Sequence, residues 1–400
     1  MASLERVRNL IMNKKIQTVT LLVSGVFLFV CSLEGVGYGF KLIFREWANF
    51  FLSMTGSEVA PFTGLAIGVL SAALLESSSA VIATTMMMMA GMVAGGLPLP
   101  LAIRFGVPFV LGANLGTTVG NIITLFAIRK ATTKEEFNAT IPAVIVDDIY
   151  TFLNISLFFI LEVTTGFLSN LVMDLGFFLN EMLKLEKFFA LFEKGLIEIL
   201  IEEPIINPLG NIFRTFFGDQ LSGILFFILW FAIVLISIDF LITKGLNRLI
   251  ETDWADRVSS AFKSPIKSFS TGFFITWVVG SSSVGTSLMV PMVATRIVNL
   301  EQAFPYIVGC GLATTMDLSQ MYGYVAGGVV GVMLGSAHII LNVFSVFIWL
   351  VLPLRAVPLK MARTVGQRMA TSNHCALLLI GYALLFVIVP LIILFITQRI

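Results

Sequence analysis

Two stretches of three consecutive serines, each set within apolar sequence, are the residues of this chain best suited to chemistry. They are Ser77–Ser79, preceded by Glu76, and Ser281–Ser283, preceded by Gly280. Each is followed along the chain by a glycine-containing segment that ends in Thr-Thr. Serine hydroxyls can donate to an oxyanion or offer oxygen to a small cation. Lipid cannot satisfy backbone groups freed by breaks, so two matched breaks predict a cavity-lining site of the kind found in transporters.

Composition predicts the class of protein that must position these residues. The 400 residues are 57% hydrophobic and 12% charged, with a mean hydropathy of +0.96, which indicates a polytopic membrane protein. The formal charge of +1 implies no attraction to nucleic acid. With three cysteines and two histidines, we expect neither a disulfide framework nor a transition-metal centre, and no cofactor. No His or Lys base accompanies the serines, so we do not expect an enzyme.

Apolar runs predict an all-α fold with two repeats, each containing a re-entrant hairpin and a broken helix. The first repeat is residues 1–165, with a first helix at 16–40, its hairpin at 59–96 and its broken helix at 101–128. The second is residues 221–354, with its hairpin at 265–298 and its broken helix at 303–327. Residues 166–220 are predicted to be an extracellular or periplasmic connector. Residues 355–400 are predicted to hold a cytoplasmic segment and one extra transmembrane helix.

Three pairs of residues set the register of the repeat. The pairs, with their separations along the chain, are Ser77 and Ser281 (204), Gly112 and Gly309 (197), and Asp147 and His338 (191). The falling separation indicates shorter connections in the second copy.

The distribution of Lys and Arg predicts that the two repeats have opposite orientations in the membrane. Cationic residues favour the cytoplasmic side of short loops. They cluster at the amino terminus, after the first broken segment, near residue 250 and after the last repeat helix, whereas the connector carries more acids than bases. These positions fit one topology if each serine-rich hairpin enters and leaves on the same side. We therefore expect inverted repeats in an inner or plasma membrane, with a cytoplasmic amino terminus.

The residue types at the breaks predict both anion and cation binding. Helix amino termini attract anions, and Ser77, Ser78, Ser79, Ser281, Ser282 and Ser283 add hydroxyls to the two hairpin tips. Unwound backbone is expected at Gly112, Gly116, Gly309 and Gly311. The freed carbonyls would join Thr117, Thr118, Thr314 and Thr315 around a hard cation such as sodium.

Ionisable residues in the membrane are candidates for ion binding by default, and Glu76 and Asp148 are the two assigned here. Glu76 lies directly at the first hairpin break, where it could carry a proton or remain a neutral, hydrogen-bonded group. A single serine cluster more often serves helix packing, but two clusters in register, each followed by a Gly and Thr-Thr break, favour a site.

At these residues the chain resembles the type II sodium/phosphate cotransporter family over about residues 16–354. The family has a Gln-Ser-Ser-Ser motif in each inverted repeat and a Gly-Ala-Asn-Ile-Gly-Thr-Thr-like segment after each, which here is nearly intact at Gly112–Thr118. The resemblance implies a hairpin-bearing transport domain that moves against a scaffold, often in a dimer. It also implies phosphate and sodium as partners within a lipid bilayer, with Asn114 in the substrate site.

The chain departs from the family pattern in both serine motifs, in the second Asn segment and at the family's His. The family's Gln is Glu76 in the first half and Gly280 in the second, and its first-half His is Asp147. The second segment, Gly309–Ala313, has lost the Asn and one Gly. These changes fall in the motifs to which the resemblance assigns phosphate and sodium. A transporter with proton coupling or another substrate, or a non-transporting sensor, is therefore kept as an alternative to sodium-coupled uptake of phosphate or a similar oxyanion.

Overall fold

The computed structural model describes residues 16–25, 59–94, 96–130, 132–183, 198–239, 259–352 and 354–397, together with positions 27, 28, 31, 32, 35 and 38. Within these ranges the chain forms helices and connecting turns and no strands. The predicted all-α membrane fold is confirmed at this level.

The helices follow the apolar runs closely. In the first half they are α1 (Ile16–Gly25), α2 (Ala60–Leu75), α3 (Ser78–Ala94), α4 (Leu99–Gly116), α5 (Gly120–Ala127), α6 (Lys134–Thr165) and α7 (Phe167–Leu183). After it come α8 (Asn207–Asp239), α9 (Pro265–Val279), α10 (Ser282–Ala294), α11 (Leu300–Ala313), α12 (Leu318–Val346), α13 (Ala356–Thr371) and α14 (Cys375–Thr397). Short 3₁₀ segments at Thr117–Val119 and Thr314–Met316 follow α4 and α11.

Four helical segments of the described chain are long and apolar enough to cross a membrane. They are Leu99–Lys130, Lys134–Thr165, Gly327–Val351 and Cys375–Thr397. The helices that flank the serine motifs are much shorter, with 16 and 17 residues in α2 and α3 and 15 and 13 in α9 and α10. At about 1.5 Å per residue each spans only about 20–26 Å, which is less than the roughly 30 Å of bilayer hydrocarbon.

Each serine motif lies at a sharp break between two helices. The break residues Glu76 and Gly280 both adopt the left-handed conformation, with φ of 51° and 77°. Their amide groups donate back to the carbonyls of Ala72 and Thr276, at 2.9 and 2.7 Å. The chain thus reverses in the same way in both halves, with a glycine at only one of the two breaks.

Glycines pack each hairpin against the broken helix of its own half. A Cβ atom added at any of four glycines would collide with a backbone carbonyl of the facing helix. The glycines and the residues whose carbonyls they contact are Gly68 with Phe109, Gly112 with Leu65, Gly272 with Tyr306, and Gly309 with Phe269. The two contacts of the second half lie at the positions that the repeat makes equivalent, because Gly272 follows Gly68 by 204 residues and Gly309 follows Gly112 by 197. The hairpin and the broken helix therefore cross in the same way in both halves.

The structure differs from prediction at the glycines of the Thr-Thr segments. Gly112 and Gly116 lie within α4, and Gly309 and Gly311 lie within α11, so the prediction of unwound backbone is wrong at all four. At Gly112 and Gly309 the lack of a side chain allows close helix packing instead. The irregular backbone comes later, as a 3₁₀ turn in both halves, and in the second half as an extended residue at Asp317 (φ −74°, ψ 169°).

The extracellular or periplasmic placement of the connector stays a prediction. The described residues of 166–220 form α7, a π-helical segment at Glu198–Ile206 and the beginning of α8, which continues past a non-helical Gly218 to Asp239. Much of the first predicted helix, and residues 184–197, lie outside the described residues.

Candidate ion and substrate site

The two hairpin tips meet in the interior of the protein. The Oγ atoms of Ser78 and Ser282, the middle serines of the two motifs, lie 3.5 Å apart. Ser78 is 1% exposed and sits at the start of α3, as Ser282 sits at the start of α10. Residues 204 positions apart in the sequence are thus brought into direct contact.

The first serine of each motif has a capping role. The Ser77 hydroxyl accepts from the amide of Ala80 at 3.3 Å, and the Ser281 hydroxyl accepts from the amide of Val284 at 3.4 Å. A side-chain oxygen that accepts from an amide in the first turn satisfies one of the free donors of a helix amino terminus. The Ser77 and Ser281 hydroxyls therefore help to begin α3 and α10. Because a hydroxyl that accepts from an amide keeps its own proton to donate, substrate binding by these two serines stays a prediction.

The third serine of each motif bonds across to the opposite half. The Ser283 hydroxyl donates to the backbone carbonyl of Glu76 at 2.6 Å, and the Ser79 hydroxyl donates to Asp317 Oδ2. Each hairpin tip therefore bonds to a residue with irregular backbone in the other half, through the main-chain carbonyl of Glu76 in one case and the side chain of Asp317 in the other.

A small polar cavity adjoins the hairpin tips. Its lining comes from both halves of the chain, and consists of Asn114, Thr117, Thr118, Asp147, Tyr150, Thr151, Ser282, Ser283, Thr286, Ile307 and Gly311. Among these lining residues there is one carboxylate and no Lys or Arg.

The paired threonines of both halves direct their hydroxyl protons into the backbone. Each donates to the carbonyl three residues earlier. The bonds run from Thr117 to Asn114 (3.3 Å), Thr118 to Leu115 (2.9 Å), Thr314 to Gly311 (2.6 Å) and Thr315 to Leu312 (2.8 Å). A hydroxyl whose proton is used in this way offers only oxygen lone pairs to any ligand. The threonines are therefore suited to a cation rather than an anion.

Two buried carboxyl groups lie beside the site without hydrogen bonds from the described residues. These are Glu76, which is 5% exposed, and Asp148, which is 1% exposed. The hydroxyls of Thr118 and Tyr382 lie next to the Asp148 carboxyl group, although neither makes a well-formed hydrogen bond to it. Unpaired carboxylates in an apolar interior are costly, so both groups are placed to bind a cation or a proton.

A chain of hydrogen bonds from α10 to α6 completes the site, and sequence reasoning missed most of it. Ser287 donates to Asn121 Oδ1 at 3.3 Å, and Asn121 Nδ2 donates to Asp147 Oδ2 at 2.9 Å. Asn121 lies three positions after Thr118, and Ser287 lies on the second turn of α10. Their polarity within apolar helices was the available signal for both residues.

Apart from Ser77 and Ser281, whose hydroxyls cap helices, the predicted site residues fall into three groups. Asn114, Thr117, Thr118, Ser282 and Ser283 line the cavity itself. The second group does not line the cavity but contacts residues of the hairpin tips or of the Thr-Thr segments and the residues after them. It contains Ser78, Ser79, Glu76 and Asp148. Thr314 and Thr315 are buried and bonded to their own helix, and they are not among the lining residues.

Helical membrane architecture, paired breaks and a shared polar cavity together describe a polytopic membrane protein with an internal polar cavity. Comparison with known proteins places it more narrowly. The chain belongs to the Na+/Pi-cotransporter family, whose model matches residues 28–184 and 233–399.

Relatives with assigned names agree with this placement at low identity. The chain is 25% identical over 426 residues to the sodium-dependent phosphate transport protein 2A of Rattus norvegicus, covering 91% of this chain and 65% of the relative. It is 24% identical over 453 residues to protein 2B of Bos taurus, covering 93% of this chain and 64% of the relative. The chain thus spans just under two thirds of the length of these relatives. No solved structure matches it significantly.

Proposed function

We propose that this chain is a secondary active transporter that couples inward sodium movement to the uptake of inorganic phosphate or a similar oxyanion. The observation that carries the proposal is the contact between Ser78 and Ser282 beside a polar cavity. Two equivalent hairpin tips meeting at an internal site are the arrangement expected where each hairpin closes the site towards one side of the membrane.

The contacts between the two halves support an approximate two-fold relation. Residues that are equivalent by such a relation and also touch one another must lie on its axis. Ser78 and Ser282, separated by 204 positions, form one such pair. Asn154 and Ser345, separated by 191 positions, form another, with Asn154 Nδ2 donating to Ser345 Oγ at 2.6 Å.

The lengths of the hairpin helices and the charge pattern support re-entrant hairpins and inverted topology. Helices of 13 to 17 residues reach into a bilayer without crossing it. With the Lys and Arg clusters on the cytoplasmic side, the first hairpin opens towards the outside and the second towards the cytoplasm. The amino terminus is then cytoplasmic.

The charge of the site supports cation coupling. A phosphate dianion entering a cavity that holds the Asp147 carboxylate, with Glu76 and Asp148 close by, would be repelled unless cations came with it. The threonine oxygens and the unpaired carboxyl groups are suitable ligands for sodium, which prefers oxygen donors. Bound sodium would therefore favour phosphate binding, and such mutual stabilisation is the thermodynamic basis of symport.

The test is uptake of labelled phosphate into proteoliposomes that hold the purified protein. A sodium gradient and a pH gradient are imposed separately, with empty liposomes as the control. We expect uptake under the sodium gradient and none above the control under the pH gradient alone.

Proton coupling is the second candidate, and the unpaired carboxyl group of Glu76 favours it. Uptake driven only by the pH gradient would establish it in place of sodium coupling. Binding of phosphate without flux under either gradient would instead identify a membrane sensor.

A further inference from the structure

The region on each side of the Ser78–Ser282 contact is built from the same three parts. Each half-site contains the break residue of one hairpin, the third serine of the other hairpin, and the residue that follows the Thr-Thr segment by two positions. In half-site A these are Glu76, Ser283 and Gly120. In half-site B they are Gly280, Ser79 and Asp317.

Each half-site contains one carboxylate, but supplies it from a different part. In half-site A the carboxylate is on the break residue, Glu76, and the partner position is Gly120. In half-site B the break residue is Gly280, and the carboxylate is on Asp317 at the position equivalent to Gly120, 197 residues further along.

Packing in half-site A leaves room for a side chain at only one of the two positions. A Cβ atom built on Gly120 would collide with Oε2 of Glu76. In half-site B nothing lies within 4 Å of a Cβ built on Gly280, and the Asp317 carboxylate accepts from the Ser79 hydroxyl.

Neither carboxylate is fully explained by stability. Glu76 has a left-handed backbone (φ 51°), a conformation that costs a non-glycine residue of order 1–3 kcal/mol and persists mainly where function requires it. Its buried carboxylate has no hydrogen-bond partner among the described residues. Asp317 caps α12 through Oδ1, which accepts from the amide of Gln320 at 2.8 Å. Asn would cap equally well, so this cap does not require a charge.

We propose that Glu76 and Asp317 are functional equivalents, each the anionic ligand of one of two cation half-sites related by the repeat. This inference rests on the proposed function, since it takes sodium as the cation. One negative charge is needed on each side of the hairpin contact, and the chain tolerates its position at either the break or the segment after Thr-Thr. Asp317 is then an ion-binding residue with the same role as Glu76.

The decisive experiment moves the carboxylate within half-site A so that it copies half-site B. Purified wild type, Glu76→Gly, and the double variant Glu76→Gly with Gly120→Asp are compared in detergent. The readout is the shift in melting temperature as sodium replaces choline, since ligands that bind the folded state stabilise it. We expect Glu76→Gly to raise the half-saturating sodium concentration at least tenfold, and the double variant to return it to within about threefold of wild type.

An isosteric pair keeps the test independent of any packing defect at Gly120. Glu76→Gln and Asp317→Asn each remove one charge and keep the shape, and Asp317→Asn also keeps the helix cap. We expect both to weaken sodium binding by similar factors, at least tenfold.

The possible results separate the two proposals. If the wild type shows no sodium-dependent shift and no sodium-driven uptake, the proposed function and this inference both fail. If the wild type responds to sodium but Asp317→Asn matches it, Asp317 is only a cap and the inference alone is overturned. The same holds if the folded double variant responds no better than Glu76→Gly.

Discussion

The two halves of this chain share a helix crossing and a mode of reversal, and they differ in where the charged groups lie. In both, a glycine of the hairpin packs on a carbonyl of the broken helix, and the third serine of each motif bonds across to the other half. The first half has Glu76 at its break and the second has Gly280. The shared glycine and serine contacts set the packing of the helices, whereas the difference between Glu76 and Gly280 concerns the charge near the hairpin tips. Variants made at equivalent positions of the two halves can therefore separate effects on packing from effects on charge.

The largest effect is expected from the hairpin contact itself. Ser78→Ala and Ser282→Ala each remove one of the two hydroxyls that meet at 3.5 Å. We expect each to lower sodium-driven phosphate uptake about a hundredfold, equivalent to about 2.7 kcal/mol, with little change in melting temperature. The matched controls are Ser77→Ala and Ser281→Ala, whose hydroxyls cap helices. These should cost about 1 kcal/mol of stability and retain transport. Robust uptake by both Ser78→Ala and Ser282→Ala would show that the hairpin contact is not the substrate site.

The second effect is on the shared helix crossing. Gly68→Ala and Gly272→Ala each place a Cβ against a facing carbonyl, of Phe109 and Tyr306 respectively. We expect each to destabilise the protein by about 2 kcal/mol, as is typical of overpacking, measured by thermal or denaturant unfolding in detergent. Gly91→Ala on α3, where nothing lies within 4 Å of the new atom, is the control and should be neutral or stabilising. Equal stability of all three variants would contradict the close packing of α2 on α4 and α9 on α11.

A smaller effect of opposite sign is expected at the two breaks. Glu76→Gly relieves a left-handed non-glycine residue and removes an unpaired buried carboxyl group, so we expect it to raise the free energy of unfolding by about 1 kcal/mol. Gly280→Ala introduces the same backbone strain at φ 77° and should lower it by about 1 kcal/mol. Both changes can be followed by melting temperature in the same detergent without added sodium. A destabilised Glu76→Gly would mean that the glutamate side chain contributes to folding.

The smallest effect distinguishes the starts of the two broken helices. Asn299 caps α11 in a capping box with Gln302, with both hydrogen bonds at 3.0 Å, whereas α4 begins after Pro98 without a side-chain cap. Asn299→Ala should therefore destabilise by about 0.5–1 kcal/mol, and Pro98→Ala by less. The comparison needs only the difference between two melting temperatures, and a larger loss for Pro98→Ala would contradict it.

The sequence was sufficient to predict the placement of the helices. The ends of the long apolar runs lie close to the observed helix ends. Pro265 is the first residue of α9, and the Thr-Thr segments follow the ends of α4 and α11. The repeat register was equally accessible, because the same separations that align the serine motifs also align the glycine contacts between helices. Both features depend on local composition and on order along the chain, which a single sequence records directly.

The partners of the polar groups could not be predicted in the same way. Nothing in the sequence indicates that Ser79 bonds to Asp317, or that Ser77 caps a helix while Ser78 meets Ser282. Those contacts depend on side-chain direction across residues more than 200 positions apart. Gly112 was expected to unwind the backbone, but it allows close helix packing instead. The absence of a Cβ is compatible with both unwound backbone and close packing, and which of them occurs depends on the position of the neighbouring helix.

The added helix α14 links the interior of the protein to the thickness of the bilayer. It packs against α2 of the first hairpin, its 23 residues are mostly exposed, and its Tyr382 hydroxyl lies next to the Asp148 carboxyl group. A helix of that length is about 35 Å long, and a helix longer than a roughly 30 Å hydrocarbon core is accommodated by tilting, by kinking or by local thickening of the bilayer. Where tilting takes up the mismatch, lipids with longer or shorter acyl chains should move Tyr382 relative to Asp148, so the consequence of α14 is a link between acyl-chain length and the buried carboxyl group.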